Sequence, residues 1–310
     1  MSLSGFLFAA LVRSTPLILL GLAVALAFRA NLLNIGAEGQ LLAGASAAVA
    51  VGLACSSWPG AALVPAELIA GAVAGAAWAG IAAVLKQRFG VLEVISTLML
   101  NFVAQNLVSY LVRGPMQEPT HVYPQTVALT NAARLPVLVP GQRLHLGFVL
   151  AVVLAVALWW MLRSTATGFR VRAVGDGAAA AASAGRVRVS RVVFGVFLAS
   201  GALAGLGGGV EASGVTYALY EGISPGYGYT AIAVALLARL NPLLVILTGI
   251  FFGALEAGAA AMQRDAGVPA VLVTVIEAIV ILGVLAAGHA RTIAAARTQP
   301  SAFAPTTEHA

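Results

Sequence analysis

The sequence predicts an all-α fold, a polytopic integral membrane helical bundle of about eight or nine transmembrane helices. Two figures carry that expectation: 60% of the 310 residues are hydrophobic and only 9% are charged, where a soluble domain carries roughly 25% charged residues. A third observation is local. Apolar runs of the ~20 residues needed to cross a hydrocarbon core as a helix recur along the whole chain.

The spans read at 11–28, 38–57, 60–85, 91–112, 145–162, 192–213, 226–239, 242–263 and 268–288. Residues 1–10 form an interfacial lead-in, and the first run has no small-residue cleavage site, so it reads as retained. The 226–239 run is short and opens on Pro225, Gly226 and Gly228. It either spans or re-enters, since non-helical backbone at that depth must be buried in protein or line a cavity. The loop 113–144 carries Pro115, Pro119, Pro124, Pro136 and Pro140 and reads as irregular and external. In 163–191, Asp176 caps a short surface helix, Ala178 to Ala184 build it, and Gly185 ends it. The tail 289–310 is polar and reads as a disordered cytoplasmic segment, leaving 1–288 as one transmembrane domain.

Basic residues orient the bundle. With 163–191 in the cytoplasm, the inner side holds Arg29, Lys86, Arg88, Arg163, Arg170, Arg172, Arg186, Arg188, Arg191, Arg239, Arg291 and Arg297. The outer side holds Arg13, Arg113, Arg134, Arg143 and Arg264, so the positive-inside asymmetry puts the N-terminus outside and the C-terminus inside. A spanning 226–239 keeps Arg291 and Arg297 inside and is the preferred arrangement. The net charge of +6 is then a set of cytoplasmic anchors rather than a nucleic-acid surface.

Several chemistries are excluded. The one cysteine, Cys55, rules out an intrachain disulfide framework and reads as a small buried residue. The one lysine, Lys86, has no glycine-rich phosphate loop before it, so this chain does not hydrolyse ATP by itself. His121, His145, His289 and His309 are scattered and show no helical zinc spacing, and there is no Gly-x-Ser-x-Gly elbow.

The clearest constellation is in the fourth span. Glu93, Thr97, Asn101 and Gln105 recur every four residues, with Ser96 beside them, and so form one polar stripe on a helix face. Such groups in lipid face the bundle interior or water. They read either as a hydrophilic lining for a polar solute or as interhelical hydrogen-bond glue, with Glu93 an anchor near the cytoplasmic end. In Asn34-Ile35-Gly36-Ala37-Glu38-Gly39-Gln40, Asn34 is placed to cap a helix and Glu38 to meet its dipole, while Gly36 and Gly39 allow close backbone approach. This segment is a junction between spans or a gating element of the pathway. Gly71/Gly75, Gly201/Gly205 and Gly249/Gly253 are spaced for close helix packing, and Gly207-Gly208-Gly209, which weakens its helix, reads as close packing or as a hinge. Glu211, Glu256 and Glu277 lie in or near spans, with Glu256 on the Gly253 seam and Thr274 sharing a face with Glu277. Tyr217, Tyr220, Tyr227 and Tyr229 read as outer interface anchors, or as stacking surfaces for a base or sugar.

Together these motifs resemble a known family. Residues 27–40, the segment from Leu92 to Asn101, Thr167-Gly-Phe-Arg-Val-Arg-Ala-Val-Gly175 and the stretch 195–242 are similar to the branched-chain-type ABC permeases, particularly the nucleoside and simple-sugar branch. The resemblance implies a permease subunit of an ATP-driven importer that moves nucleosides or related small polar solutes. It implies three partners: a second related permease, an extracytoplasmic substrate-binding protein and a cytoplasmic ATPase. ATP and Mg would sit on that ATPase, with no cofactor in this chain. The 163–191 loop would be the coupling element, through Thr167, Gly168, Arg170, Arg172, Gly175, Asp176 and Gly185. Asn34, Glu38 and the fourth-span stripe would line the path. Two departures bear on docking: Asp176-Gly177-Ala178 stands where the family has an acidic or amide residue and then Asn-Pro, and Gly185-Arg186 stands where it has Gly-Ile. The N-terminal part is also about one span shorter than the family pattern. Abundant Ala and Arg with a single Lys suggest a GC-rich bacterial genome, hence an inner-membrane location. A gradient-driven secondary transporter, using Glu256 or Glu277 to bind the coupling ion, is the rival class. Simple sugars and branched-chain amino acids are the rival substrates.

Overall fold

The computed structural model describes residues 3–183, 187–266 and the single positions 275, 278, 279 and 283. The chain divides into two units, Met1–Ala261 and Met262–Ala310, and the architecture that follows is that of the first. Gly185 and Arg186, Thr274 and Glu277, most of the predicted span 268–288 and the tail lie outside the described residues.

The order is α1 (Leu3–Arg29), α2 (Ala37–Ala54), α3 (Gly60–Phe89), α4 (Glu93–Arg113), α5 (Leu146–Ser164), α6 (Ala166–Ser183), α7 (Val189–Glu211), α8 (Tyr227–Leu237) and α9 (Pro242–Ala266). Among the described residues, seven of these are long and apolar enough to cross a membrane, whereas α8 is apolar but short. Three expectations need correction. Residues 3–10 are not a separate lead-in, because nothing between Leu3 and Arg13 breaks the helix. The helix expected from Ala178 begins at Ala166, and Gly177, in an extended conformation, divides it (φ 178°, ψ 94°). Cys55 is half-buried rather than buried, because α2 ends one residue before it.

Helix α1 is the axis of the bundle. Leu17 to Ala27 are apolar on every face and at most 2% exposed, the pattern of a helix surrounded by others. Pro16 interrupts its hydrogen-bond ladder, and the Ser14 and Thr15 hydroxyls both bond back to the Leu11 carbonyl (2.8 and 3.1 Å).

Helices α2, α3 and α7 meet along a glycine seam. A methyl group at Gly44 would come within 2.2 Å of the Gly205 carbonyl oxygen, and one at Gly75 within 2.3 Å of that of Gly201. No side chain fits there, so three backbones approach directly and gain dispersion contact. The Gly207-Gly208-Gly209 triplet continues the seam. Gly207 faces Leu20 of α1, Gly208 the Leu41 carbonyl of α2, and Gly209 both Ala48 of α2 and Leu68 of α3. Gly249 and Gly253 seat α9 on Ile18 and Ser14 of α1, and Glu256 on the same face pairs with Arg13 at 3.7 Å.

Arg29, Lys86, Arg88, Arg163, Arg170, Arg172, Arg188, Arg191 and Arg239 gather at one end of the bundle, the end that the positive-inside asymmetry predicts to be cytoplasmic. At the outer end the proline-rich loop is irregular but held. Thr126 and Leu129 donate backbone bonds to Leu219 and Tyr217 (2.9 and 2.7 Å), Leu135 to Ser213 (2.9 Å), and Arg134 lies over the Tyr217 ring at 4.5 Å.

Candidate translocation pathway

Two helices start inside the bundle rather than at a surface. After Arg29 the chain turns through Asn31 at φ 56° and climbs back as irregular backbone before α2 starts. On the other side, α7 runs into a π-helical turn, Ala212–Thr216. Residues 217–221 follow the outer loop, and 222–226 descend to the start of α8. With eleven residues, α8 is roughly 16 Å long, about half of a ~30 Å core. It runs inward to Arg239, so the chain crosses here, half as helix and half as loop. Neither a full span nor a re-entrant turn describes it.

The N-termini of α2 and α8 meet head to head. A methyl group at Gly228 would lie 2.2 Å from the Glu38 nitrogen. Both ends present unsatisfied N–H groups and positive dipole ends, which repel unless an anion separates them. Glu38 supplies it: its carboxylate accepts the Gly228 N–H at 2.7 Å from within the first turn of α2. Ser224 is a further hydrogen-bonding neighbour of that carboxylate, and its hydroxyl accepts the N–H groups of Gly226 and Tyr227 (3.3 and 3.1 Å).

The fourth-span stripe holds this junction. Asn101, fully buried, accepts the Gly39 N–H (2.8 Å) and donates to the Ile35 carbonyl (3.0 Å) and the Tyr229 hydroxyl (3.3 Å). It caps α2 from a different helix. Asn34, expected to be the cap, instead closes a local turn by accepting the Gly36 N–H (3.0 Å), and bonds Gln40 and Ser200 (3.0 Å each). Gly36 is the residue at the cap position. Thr97 accepts the Ile35 N–H at 3.3 Å and donates to the Glu93 carbonyl at 2.7 Å. Ser96 donates to the same carbonyl at 3.1 Å. Glu93 pairs with Lys86 at 2.5 Å. The lower stripe therefore ties helices together, while Gln105 is exposed to a cavity.

That cavity, about 270 Å³, rises from Glu38 and Leu42 past Gln105, Val108 and Ser109 to Glu221, Gly222 and Ser224. At its outer rim Glu221 forms a bidentate pair with Arg113 (2.7 and 2.9 Å) and accepts the Ser109 hydroxyl. The Arg113 guanidinium and Ser109 hold the Glu221 carboxyl down at about 2. None of the four tyrosines is among the lining residues. Glu221, Ser109 and Ser224 were absent from the sequence reading, as were Glu67 and Ser213, and His145 entered it only as one of four scattered histidines. Ser109 and Arg113 continue the four-residue period of the stripe past Gln105, which is the signal that finds them. Glu67 is wholly buried in α3 and accepts the Ser213 hydroxyl at 2.6 Å beneath the π-helical turn.

At the arginine-rich end, Thr167, Arg170 and Asp176 are exposed and Arg172 is half-buried. Gly168 packs on the end of α5, where a methyl group would lie 2.2 Å from the Met161 carbonyl oxygen. Gly175 packs in the same way on the Arg29 carbonyl, at 2.1 Å. These two glycines bind α6 to the ends of α5 and α1.

A multi-pass membrane bundle with a polar cavity at the meeting of two broken crossings belongs to the class of solute permeases. The chain belongs to the family described as the branched-chain amino acid transport system permease component, whose model matches residues 6–285. It is 46% identical over 282 residues to a glucose ABC transporter permease protein of Haloferax volcanii, covering 88% of this chain and 74% of that one. It is 40% identical over 272 residues to a guanosine ABC transporter permease protein of Bacillus subtilis, covering 86% and 77%. A second guanosine permease protein of the same bacterium is 30% identical over 253 residues, covering 79% and 78%. No solved structure matches the chain significantly.

Proposed function

We propose that this chain is the membrane-spanning subunit of an ATP-driven importer in a bacterial inner membrane, and that it passes neutral polyhydroxylated solutes, nucleosides or simple sugars. The observation that carries this reading is the cavity itself. Two carboxylates, two hydroxyls and an amide line it with no cation free of a partner among them, a set that accepts O–H and N–H donors and disfavours anions. Its position above the junction of α2 and α8 supports alternating access, because both half-crossings reach that point from opposite faces. The relatives named as glucose and guanosine permeases favour the same solutes over branched-chain amino acids. Two guanosine permease proteins in one bacterium favour a related second permease beside this chain. The exposed part of α6, with Thr167, Arg170 and Asp176, is the surface offered to a cytoplasmic ATPase that carries ATP and Mg, Arg172 and the packed glycines 168 and 175 setting its angle. A substrate-binding protein would deliver solute to the outer rim.

Uptake of labelled adenosine, uridine, glucose and leucine in a strain lacking the chain, and again with it restored, tests this. ATP depletion and an uncoupler form separate arms. The expected result is nucleoside or sugar uptake that fails on ATP depletion and survives the uncoupler, and that falls about tenfold or more in Gln105→Leu, because a site built to hydrogen-bond a solute loses it when the donor–acceptor group is removed. Uptake abolished by the uncoupler at constant ATP would establish the gradient-driven rival instead.

A further inference from the structure

A second cavity, about 450 Å³, opens at the cytoplasmic end, away from the solute cavity. Four arginines line it, Arg29, Arg163, Arg172 and Arg239, and they come from α1, α5, α6 and the α8–α9 turn. No carboxylate is among its described lining residues, and none of the four arginines makes an ion pair among the described residues. Like charges gather here only at a cost, and the backbone is shaped to gather them. Gly175 lets α6 rest on the Arg29 carbonyl, which brings Arg172, one turn earlier, to the cavity wall while Arg170 stays exposed. Arg239 and Leu240 both take left-handed φ, 50° and 57°, a strained pair that non-glycine residues hold only where the surroundings impose it. The N-terminus of α9, Pro242, closes the wall and adds its positive dipole end. Arg29 and Arg163 sit in the last turns of their helices and Arg239 directly follows the end of α8, where C-terminal carbonyls offset part of their charge.

The remaining wall is apolar. Leu162, Leu240 and Leu244 lie beside the arginines, with Trp159 beneath Arg163 at 5.5 Å. Tryptophan with arginine at the end of a span marks the headgroup level of a bilayer. We propose that this cavity is a phosphate-binding site on the cytoplasmic face, and that its ligand is the phosphate headgroup of an anionic lipid. Bidentate guanidinium groups match phosphate oxygens, and the leucines give the adjoining glycerol and acyl carbons a dry wall.

The test is native mass spectrometry of the full chain released from detergent after addition of equal phosphatidylglycerol and phosphatidylcholine. Wild type should retain the anionic lipid in clear preference. R172Q/R239Q should lose roughly fivefold of that preference for each arginine removed. R172K/R239K, which keeps the charge, should hold much of it, and R88Q/R191Q, on the same face but outside the cavity, should hold all of it. A competing arm adds inorganic phosphate. Displacement of the lipid shows a site that takes phosphate from either source; failure to displace it shows that the acyl chain contributes and assigns the site to lipid. Equal retention of both lipids by wild type, or a preference untouched in R172Q/R239Q, overturns the proposal. So does a preference untouched while a co-purifying protein is lost, which would give the arginines to a protein contact.

Discussion

The two broken crossings solve one problem in opposite ways. The segment before α2 is sealed. Its backbone and side-chain groups bond to Thr97, Asn101, Gln40 and Ser200, and Asn34, Glu38, Thr97 and Asn101 are each at most 2% exposed. The segment before α8 is pinned from outside, by backbone bonds to the outer loop and by the solvent-reached Arg113–Glu221 pair at the rim. A buried, fully paired network fixes a single arrangement. A surface pair and a loop ladder hold a position that solvent can share, and segments of that kind open at low local free energy. The sealed crossing is the frame of the pathway and the pinned crossing is the part able to move against it.

The largest effect should come from breaking the sealed side. Asn101→Leu strips partners from the Gly39 N–H, the Ile35 carbonyl and the Tyr229 hydroxyl at once. Leaving the buried Gly39 N–H unpaired costs about 1–3 kcal/mol, with less from the half-buried Ile35 carbonyl and the exposed Tyr229 hydroxyl, a sizeable part of a domain's net stability. The expected outcome is a sharp fall in folded chain recovered from membranes, measured by monodisperse elution in detergent. Full recovery with normal uptake would show that the junction does not depend on this cap.

A second test acts on the support beneath the pinned side. His145 is 1% exposed, its two ring nitrogens have no hydrogen-bond partner among the described residues, and its ring lies against Gly147 and Gly214, the latter in the π-helical turn that feeds the crossing. Burial, aided by Arg143, pushes its pKa down to about 4 from 6.5. The unfolded chain therefore binds a proton between pH 6.5 and 4 that the folded chain refuses, and stability falls as pH falls through that window, by about 3 kcal/mol in all. Thermal unfolding at pH 7 and pH 4.5 should show the loss, and His145→Gln should flatten it. An equal slope in both proteins would place the acid sensitivity elsewhere.

The contrast also separates what was legible in the sequence from what was not. Span existence follows from apolar run length, so the predicted runs from 11–28 through 242–263 each correspond to helix, the short 226–239 run to the half-length α8. Glycine packing was legible because spacing alone puts Gly71 and Gly75 on one face. The broken starts of α2 and α8 were not legible as a pair, since nothing in either segment reports that Gly228 abuts Glu38 across the bundle. The stripe was visible, but its period does not tell which of its members bond inward, as Thr97 and Asn101 do, and which face a cavity, as Gln105 does. That depends on where α2 begins. Glu221 was hidden for the same reason: its neighbours in sequence are loop, and its partners sit on α4.

The smallest effect on folding, and the one that sharpens the comparison most, should come from the pin itself. Arg113 is exposed and Glu221 half-buried at the cavity rim, so removing either leaves recovery and thermal stability near wild type. The Glu221 carboxyl is held at about 2, below its ordinary 4.5. Any contribution of the pair is thus nearly complete at pH 4.5 and is lost as pH falls from there through about 2, below most of the window in which His145 responds. Glu221→Gln should therefore leave the slope between pH 7 and 4.5 unchanged while altering access to the cavity. A single cysteine placed at Ser109, with Cys55 replaced by serine, reports that access through its rate of labelling by a water-soluble maleimide. In Arg113→Gln on that background the rate should rise several-fold, since a crossing held by one fewer contact spends more time open. Replacing Ser109 removes one hydrogen bond to Glu221 in both proteins alike, so the comparison isolates the guanidinium. An unchanged labelling rate would mean that the loop ladder from Thr126 to Leu219 holds the crossing alone, and that ladder would then be the element to cut.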